Sequence, residues 1–291
     1  MTSKAKHISA VALAACLSGC EPAETQKAPD VLVQSVAQFP AALDESSALA
    51  FHDNVLWSLN DSGNDPVLFG LSESGELLAK VTILNGRNTD WESLAQDESY
   101  LYVADTGNNF NSRGEFRIYR VPIPALEQDR VNADVITLRY ADYESGNRGS
   151  HNFDSEALAV RGSELWLFTK NRGDGNSDLY RLPKLPGTYS VVKAQTLPVD
   201  SLVTAADINP ETGELALLSY GGAGFGRGTR LWWAPTTDAG VDWDYSHSLS
   251  IGPADQWEAV VWRNRHELFL THENLRQGFA GLASLSKLDE D

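Results

Sequence analysis

Ser47, Glu92, Glu156, Thr204 and Glu258 carry the chemistry that this sequence concentrates, because each heads the same short phrase. Ser47-Ala48-Leu49-Ala50-Phe51 leads to Val55-Leu56-Trp57-Ser58-Leu59-Asn60-Asp61, and Glu92-Ser93-Leu94-Ala95 leads to Tyr100-Leu101-Tyr102-Val103-Ala104-Asp105. Glu156-Ala157-Leu158, Thr204-Ala205-Ala206 and Glu258-Ala259-Val260 open the other copies. Three carboxylates and two hydroxyls in one register are hard oxygen donors. Brought together, unit negative charges ~5 Å apart repel by roughly 3 kcal/mol per pair at an effective dielectric near 20. Bare carboxylates in that position must protonate or bind a cation. Oxygen donors suit Ca2+ or another hard cation, and the lack of thiolate argues against a soft metal. The competing reading pairs each Glu locally with an Arg or with backbone amides. Recurrence in one register favours the cation.

The elements that must position these residues follow from the spacing. Copies recur at roughly 50 residues, and periods of that length built from short strands mark a β-propeller. A third strand follows each pair, as at 67–71 and 116–121, and then a fourth, as at 77–83 and 134–138. Four strands make one blade, so the expected fold is an all-β, five-bladed propeller with four antiparallel strands per blade. The last copy lacks a fourth strand, and the run at 31–36 is expected to close it and remove an open sheet edge. Eight Trp suit the wedges between sheets.

The first strand of a propeller blade is innermost, so the five heading residues are expected at one mouth of the central channel. Loops after the second strands share that face. They bring Asn60 with Asp61, Asp105 with Asn108 and Asn109, Lys170 with Asn171 and Arg172, Tyr220, and His272 with Glu273 and Asn274. Arg113, His151 and Arg227 stand in neighbouring loops. Asp61 and Asp105 are candidate general bases, and Lys170, Arg172 and His272 are candidates to steady developing negative charge. Taken singly, these loops read as ordinary turn chemistry; taken as one face, they read as a ligand site. The glycine run 221–226 precedes no helix pattern and is no phosphate loop. No G-x-S-x-G elbow and no zinc-type His spacing occur.

Ahead of the repeat, Lys4 and Lys6 precede an apolar run too short to span a bilayer. It ends in Leu17-Ser18-Gly19-Cys20, which resembles the lipobox of bacterial lipoproteins. That resemblance implies a signal peptide at 1–19 and a lipid on Cys20, against the plainer reading of a secretory signal cut nearby. It also implies that Glu21, in place of Asp, favours the outer membrane and periplasm. Residues 20–29 read as a polar tether and 30–291 as one domain, since isolated blades cannot bury both faces. Cys16 and Cys20 are the only cysteines, so no disulfide is expected in the domain. The net charge of −17, more negative still once Lys4 and Lys6 are removed, argues against nucleic acid and against adsorption to anionic lipid. The partners expected are a bilayer, through Cys20, and a small anionic ligand; the domain reads as a monomer.

The order Ser47, Glu92, Glu156, Thr204, Glu258 resembles the calcium-dependent apyrases, five-bladed propellers that hydrolyse nucleoside di- and triphosphates. Their channel calcium is held in a Ser, Glu, Glu, Ser, Glu order. The resemblance covers five short segments, places Asp61 at that family's catalytic Asp and makes Arg172 a match for a basic substrate-binding residue. Lys170 stands where that family is not basic. The segments Asp90-Trp91-Glu92-Ser93-Leu94-Ala95 and Ala104-Asp105-Thr106-Gly107-Asn108-Asn109 also resemble exported bacterial propellers, including phytase-like and SdiA-regulated proteins. Two functions stay open: a calcium-dependent hydrolase of phosphate esters or anhydrides, and a non-catalytic binding lipoprotein with structural calcium. A lactonase is a third, lowered by the blade count.

Overall fold

In the computed structural model the described residues are 33–221, 228–251, 256–273 and 280–286. Cys20, the segments 1–19 and 20–29, the glycine run from Gly222, Arg227 and Asn274 lie outside them. The chain forms five sheets, each a blade. Blade one holds Ser46–His52, Val55–Asn60, Val67–Leu71 and Leu77–Ile83, and blade two holds Trp91–Gln96, Tyr100–Asp105, Phe116–Pro122 and Asp134–Tyr140. Blade three holds Ser155–Arg161, Glu164–Thr169, Ser177–Pro183 and Lys193–Leu197. Blade four holds Leu202–Ile208, Glu214–Tyr220, Thr229–Pro235 and His247–Ser250. Blade five takes Gln256–Trp262, Glu267–Glu273 and Gly281–Ser286 from one end of the chain and Gln34–Gln38 from the other. That last strand pairs antiparallel with Gly281–Ser286, so the ring closes as the repeat count requires.

The first strand of each blade packs against the first strands of both neighbours, and these five strands surround the axis. Side chains facing the next blade form five apolar clusters, one at each interface. Trp57 and Trp91 fill the wedge between blades one and two, Trp166 that between three and four, and Trp233, Trp257 and Trp262 that between four and five. Burial of such rings removes 150–250 Å2 each from water, at roughly 25 cal/mol per Å2. The outer edges of blades one, two and three are covered by the neighbouring blade. Arg130–Val131 pairs parallel with Leu77–Ile83, and Gly187–Val191 pairs parallel with Asp134–Tyr140. On blade three the Gln195 amide does the same work, donating to Val241 O at 2.8 Å and accepting from Val241 N at 2.9 Å. Paired edges cannot template another chain.

One irregularity repeats in every inner strand. Ser46 faces Asn60 and Ala48 faces Leu59, so Ser47 is left without a cross-strand partner. The same skip leaves Glu92 between Trp91 and Ser93, Glu156 between Ser155 and Ala157, Thr204 between Val203 and Ala205, and Glu258 between Trp257 and Ala259. A bulge breaks the alternation of faces and turns its extra residue off the ladder. Each of the five heading residues is therefore the bulged residue of its blade.

Candidate functional site

The bulges bring the five residues to one end of the channel in different company. Ser47 Oγ donates to Trp91 O of blade two at 3.3 Å, and Thr204 Oγ1 donates to Trp257 O of blade five at 3.0 Å. Both hydroxyls are buried and stitch neighbouring inner strands together. Glu156, also buried, is in contact with Lys170 Nζ at 2.5 Å and lies 3.6 Å from Arg172 Nη2. Burial would strip Lys170 of its proton, but Glu156, then Tyr220 and Glu258, hold the ammonium well above its usual range. The same ammonium lies 4.9 Å from the centre of the Tyr220 ring. A cation supplied by the chain itself thus pairs with one of the three recurrent carboxylates and feels the charge of a second.

Glu92 has no such partner. It is 8% exposed, and among the described residues neither a hydrogen-bond donor nor an ion pair reaches its carboxylate. Its oxygens share a cluster with Asp61 and Asp90, one ligand atom from each residue lying within 4.8 Å of the others. Burial pushes the Glu92 carboxyl well above the usual range, and the charges of Glu156, Asp61, Asp154 and Asp90 push it further. Asp90 is raised to about 6 by burial and by Asp154 and Asp61. Burial also raises Asp61, against the backbone N–H of Ser62 and with the help of Glu45.

Local structure explains why Asp61 and Asp90 meet. The Asn88 amide donates to Asn60 O at 3.0 Å and to Asp61 O at 2.8 Å, while its oxygen accepts from Trp91 N at 3.1 Å. This buried side chain clamps the loop of blade one to the start of blade two. Asp90 is fixed from behind, its N–H donating to Asp105 Oδ1 at 3.0 Å and its carbonyl accepting from Gly107 N at 3.1 Å. Gly107 is required by proximity. A Cβ there would lie 2.5 Å from the Asp90 carboxyl carbon and would overlap Glu92 Oε1.

Asp105 sits below this layer, its side chain 1% exposed and paired with Arg113 Nη2 at 2.8 Å. Its Oδ2 is buried with no hydrogen-bond partner. Asp154 repeats the position of Asp90 in blade three, two residues ahead of the bulge. It accepts from Asn108 N at 2.7 Å and from Arg172 Nη2 at 3.0 Å, and Arg172 also bonds Asn109. Arg172 keeps 22% of its side chain exposed. His272 packs edge-on against Trp257 at 5.2 Å, on the side of blade five. The structure thus groups Asp61 with Glu92, and Lys170 and Arg172 with Glu156, while Asp105 supports the cluster from behind through Asp90 N and His272 packs on Trp257. Asp90, Asp154, Asn88 and Gly107 are the participants that the repeat did not single out. The spacing Asp-x-Glu, shared by Asp90-Trp91-Glu92 and Asp154-Ser155-Glu156, is the signal that marks two of them.

No protein-family model matches the sequence, and no curated protein does. Solved structures do resemble this chain. The PQQ-bound form of aldose sugar dehydrogenase from Streptomyces coelicolor aligns over 87% of this chain and 96% of its own, with a TM-score of 0.50 and 10% identity. Hydrazine synthase of Kuenenia stuttgartiensis aligns over 84% of this chain and 87% of its own, with a TM-score of 0.44 and 10% identity. At such identity the first likeness speaks for a β-propeller and no more.

Proposed function

We propose that this chain is an exported lipoprotein, tethered to the bilayer through Cys20 and facing the periplasm, whose propeller binds calcium and hydrolyses a phosphate ester or anhydride. The observation that carries the reading is Glu92, an almost fully buried carboxylate with two others beside it and no donor of its own. A buried charge of that kind is costly unless a proton or a cation joins it. Asp61, Asp90 and Glu92 would hold the ion, and their all-carboxylate oxygens fit a hard cation. Gly107, having no Cβ, lets the Asp90 and Glu92 carboxylates close up against its backbone. Calcium bound there supplies charge neutralisation for phosphate oxygens and a more acidic water. Asp61, the member of the cluster at the end of the blade-one loop, is partly exposed and available to take a proton from an attacking water. Arg172 keeps exposed surface while Asp154 holds its guanidinium, and it is the cation that would meet a substrate oxygen. Lys170 acts from beneath, through Glu156.

A second reading, a non-catalytic ligand-binding lipoprotein with structural calcium, is favoured by a different observation. Lys170, Arg172 and Arg113 are already committed to Glu156, Asp154 and Asp105. The quinone bound by the sugar dehydrogenase is not carried over, because 10% identity transfers a fold alone. Phosphate release from nucleotides, sugar phosphates and phytate, with calcium or with chelator, separates the two readings. Calcium-dependent release that disappears in Asp61→Ala supports the hydrolase. Calcium stabilisation with no release from any of the three leaves the binding protein. Labelled palmitate that enters the wild type but not Cys20→Ser tests the anchor.

A further inference from the structure

Four residues along each inner strand from its bulge stand Phe51, Gln96, Val160, Ile208 and Trp262. At ~3.3 Å per residue they lie about 13 Å from the carboxylate cluster, at the other end of the channel. All five line one cavity of about 390 Å3, a volume within the range of small-molecule pockets. Every blade contributes to it, so the ring that builds the first mouth builds this one too.

Its chemistry is different. Phe51, Val160, Ile208 and Trp262 make an apolar and partly aromatic floor. The inner strands bring two ionisable residues to the cavity, Asp207 at the floor and Arg161 at the end of its strand. The Asp207 carboxylate is held by Ile208 N at 2.9 Å and Trp262 N at 2.8 Å. Two backbone donors fix its orientation and leave further lone pairs for a ligand. At the rim, Glu98 and Glu211 add exposed carboxylates, for which the described residues provide no ion pair. Of the two guanidinium groups in the lining, Arg263 is ion-paired, whereas Arg161 keeps its charge and offsets one of the three carboxylates. Arg263 is bound by Glu73 at 2.9 Å and by Glu267, and Arg161 Nε donates to Thr236 Oγ1 at 2.8 Å. Asp97 is cancelled by Lys184. What remains is a negative field over an apolar floor.

We infer that this far mouth is a second binding site, for a small organic amine whose ammonium meets Asp207 and whose apolar body lies over Phe51 and Val160. A charge-assisted hydrogen bond and an aromatic face both favour a cation there. A carboxylate ligand would meet three acidic groups against the single guanidinium of Arg161, and a neutral alcohol would forgo the charge.

Calorimetry of the purified protein at pH 8 with n-hexylamine, hexan-1-ol and hexanoate reads this directly. The amine is expected to bind about tenfold or more tightly than the alcohol, and hexanoate not at all. Asp207→Asn should bring the amine to the level of the alcohol, and the exposed Glu211→Gln should weaken it about twofold. Val160→Trp fills the floor without touching Asp207, and should abolish amine binding while the calcium-induced shift in melting temperature at the opposite mouth persists. Hexanoate binding as well as the amine, no binding of the amine, or amine binding unchanged in Asp207→Asn or Val160→Trp would each overturn the inference.

Discussion

The hydroxyl of Ser47 donates to the backbone carbonyl of Trp91, the residue immediately before Glu92. Thr204 stands in the same relation to Trp257, immediately before Glu258. In both cases a bulged hydroxyl in one blade secures the strand that carries a bulged carboxylate in the next. The acids at the other bulges keep different company: Glu156 accepts from Lys170, and Glu92 lies with Asp61 and Asp90. The five positions therefore divide into two that stitch and three that carry charge. The hydroxyl oxygens keep lone pairs free, so stitching does not bar them from also facing an ion.

Glu92→Gln removes the charge that lacks a partner. Without calcium the variant should melt higher than the wild type, because repulsion with Glu156, Asp61, Asp154 and Asp90 is relieved. With calcium the order should reverse. An ion at one hundred times its dissociation constant stabilises the wild type by about 2.7 kcal/mol, and the variant should lose most of that. Thermal denaturation of both proteins, with chelator and with calcium, checks the crossing. Parallel curves would remove Glu92 from the site.

Gly107→Ala tests the cradle itself. The new Cβ would overlap the Asp90 and Glu92 carboxylates, so one of them must move. Overpacking of this kind costs about 1–3 kcal/mol. Calcium affinity should fall by more than stability does, since the displaced groups are the proposed ligands. Titration calorimetry beside a urea melt separates the two effects.

Much of this was legible in the repeat, and the limit has a physical cause. Recurrence of one phrase is enough to count blades, to find the innermost strands and to call for a closing strand near residue 34, because each follows from a ring of equal units. The bulge is harder to read. Alternation along Glu156-Ala157-Leu158 looks regular in sequence, and only the pairing of Ser155 with Thr169 and Ala157 with Phe168 reveals the extra residue. That residue lets Lys170, just past the second strand, reach Glu156, so a group expected to steady a ligand is paired within the protein. Neither Asp90 nor Asn88 heads a copy of the repeat, so the repeat does not mark them. Their partners, Asp61 and its carbonyl, lie in another blade and could be found only from the three-dimensional ring.

Lys170→Met leaves Glu156 buried beside Arg172 alone, at 3.6 Å. Breaking one side of a buried pair costs about 3–5 kcal/mol. Adding Glu156→Gln should restore most of that loss, because the double variant no longer buries an uncompensated charge. Urea denaturation of the two single variants and the double variant gives the coupling directly. Equal, additive losses would mean that the pair contributes nothing as a pair.

Asp207 predicts a pH dependence at the other mouth. Burial raises its carboxyl to about 7, against the two backbone donors Trp262 and Ile208, whereas the unfolded chain holds an ordinary value of 3.8. The folded state thus binds this proton more tightly than the unfolded state. Its contribution to stability is fully present below the unfolded value and is lost as pH rises through about 7. Asp90 shifts in the same direction, so the wild type alone cannot isolate the effect. The difference between wild type and Asp207→Asn can, because every other group cancels. The wild type should lose stability relative to the variant between pH 5 and pH 8, by about 4 °C in melting temperature for a change near 1–2 kcal/mol in a domain of this size. A difference that stays flat across that range would show that the Asp207 carboxyl titrates as it does in water. n-Hexylamine at pH 8 should recover part of the loss in the wild type and none in the variant, since an ammonium replaces the missing proton only where a carboxylate is present to receive it.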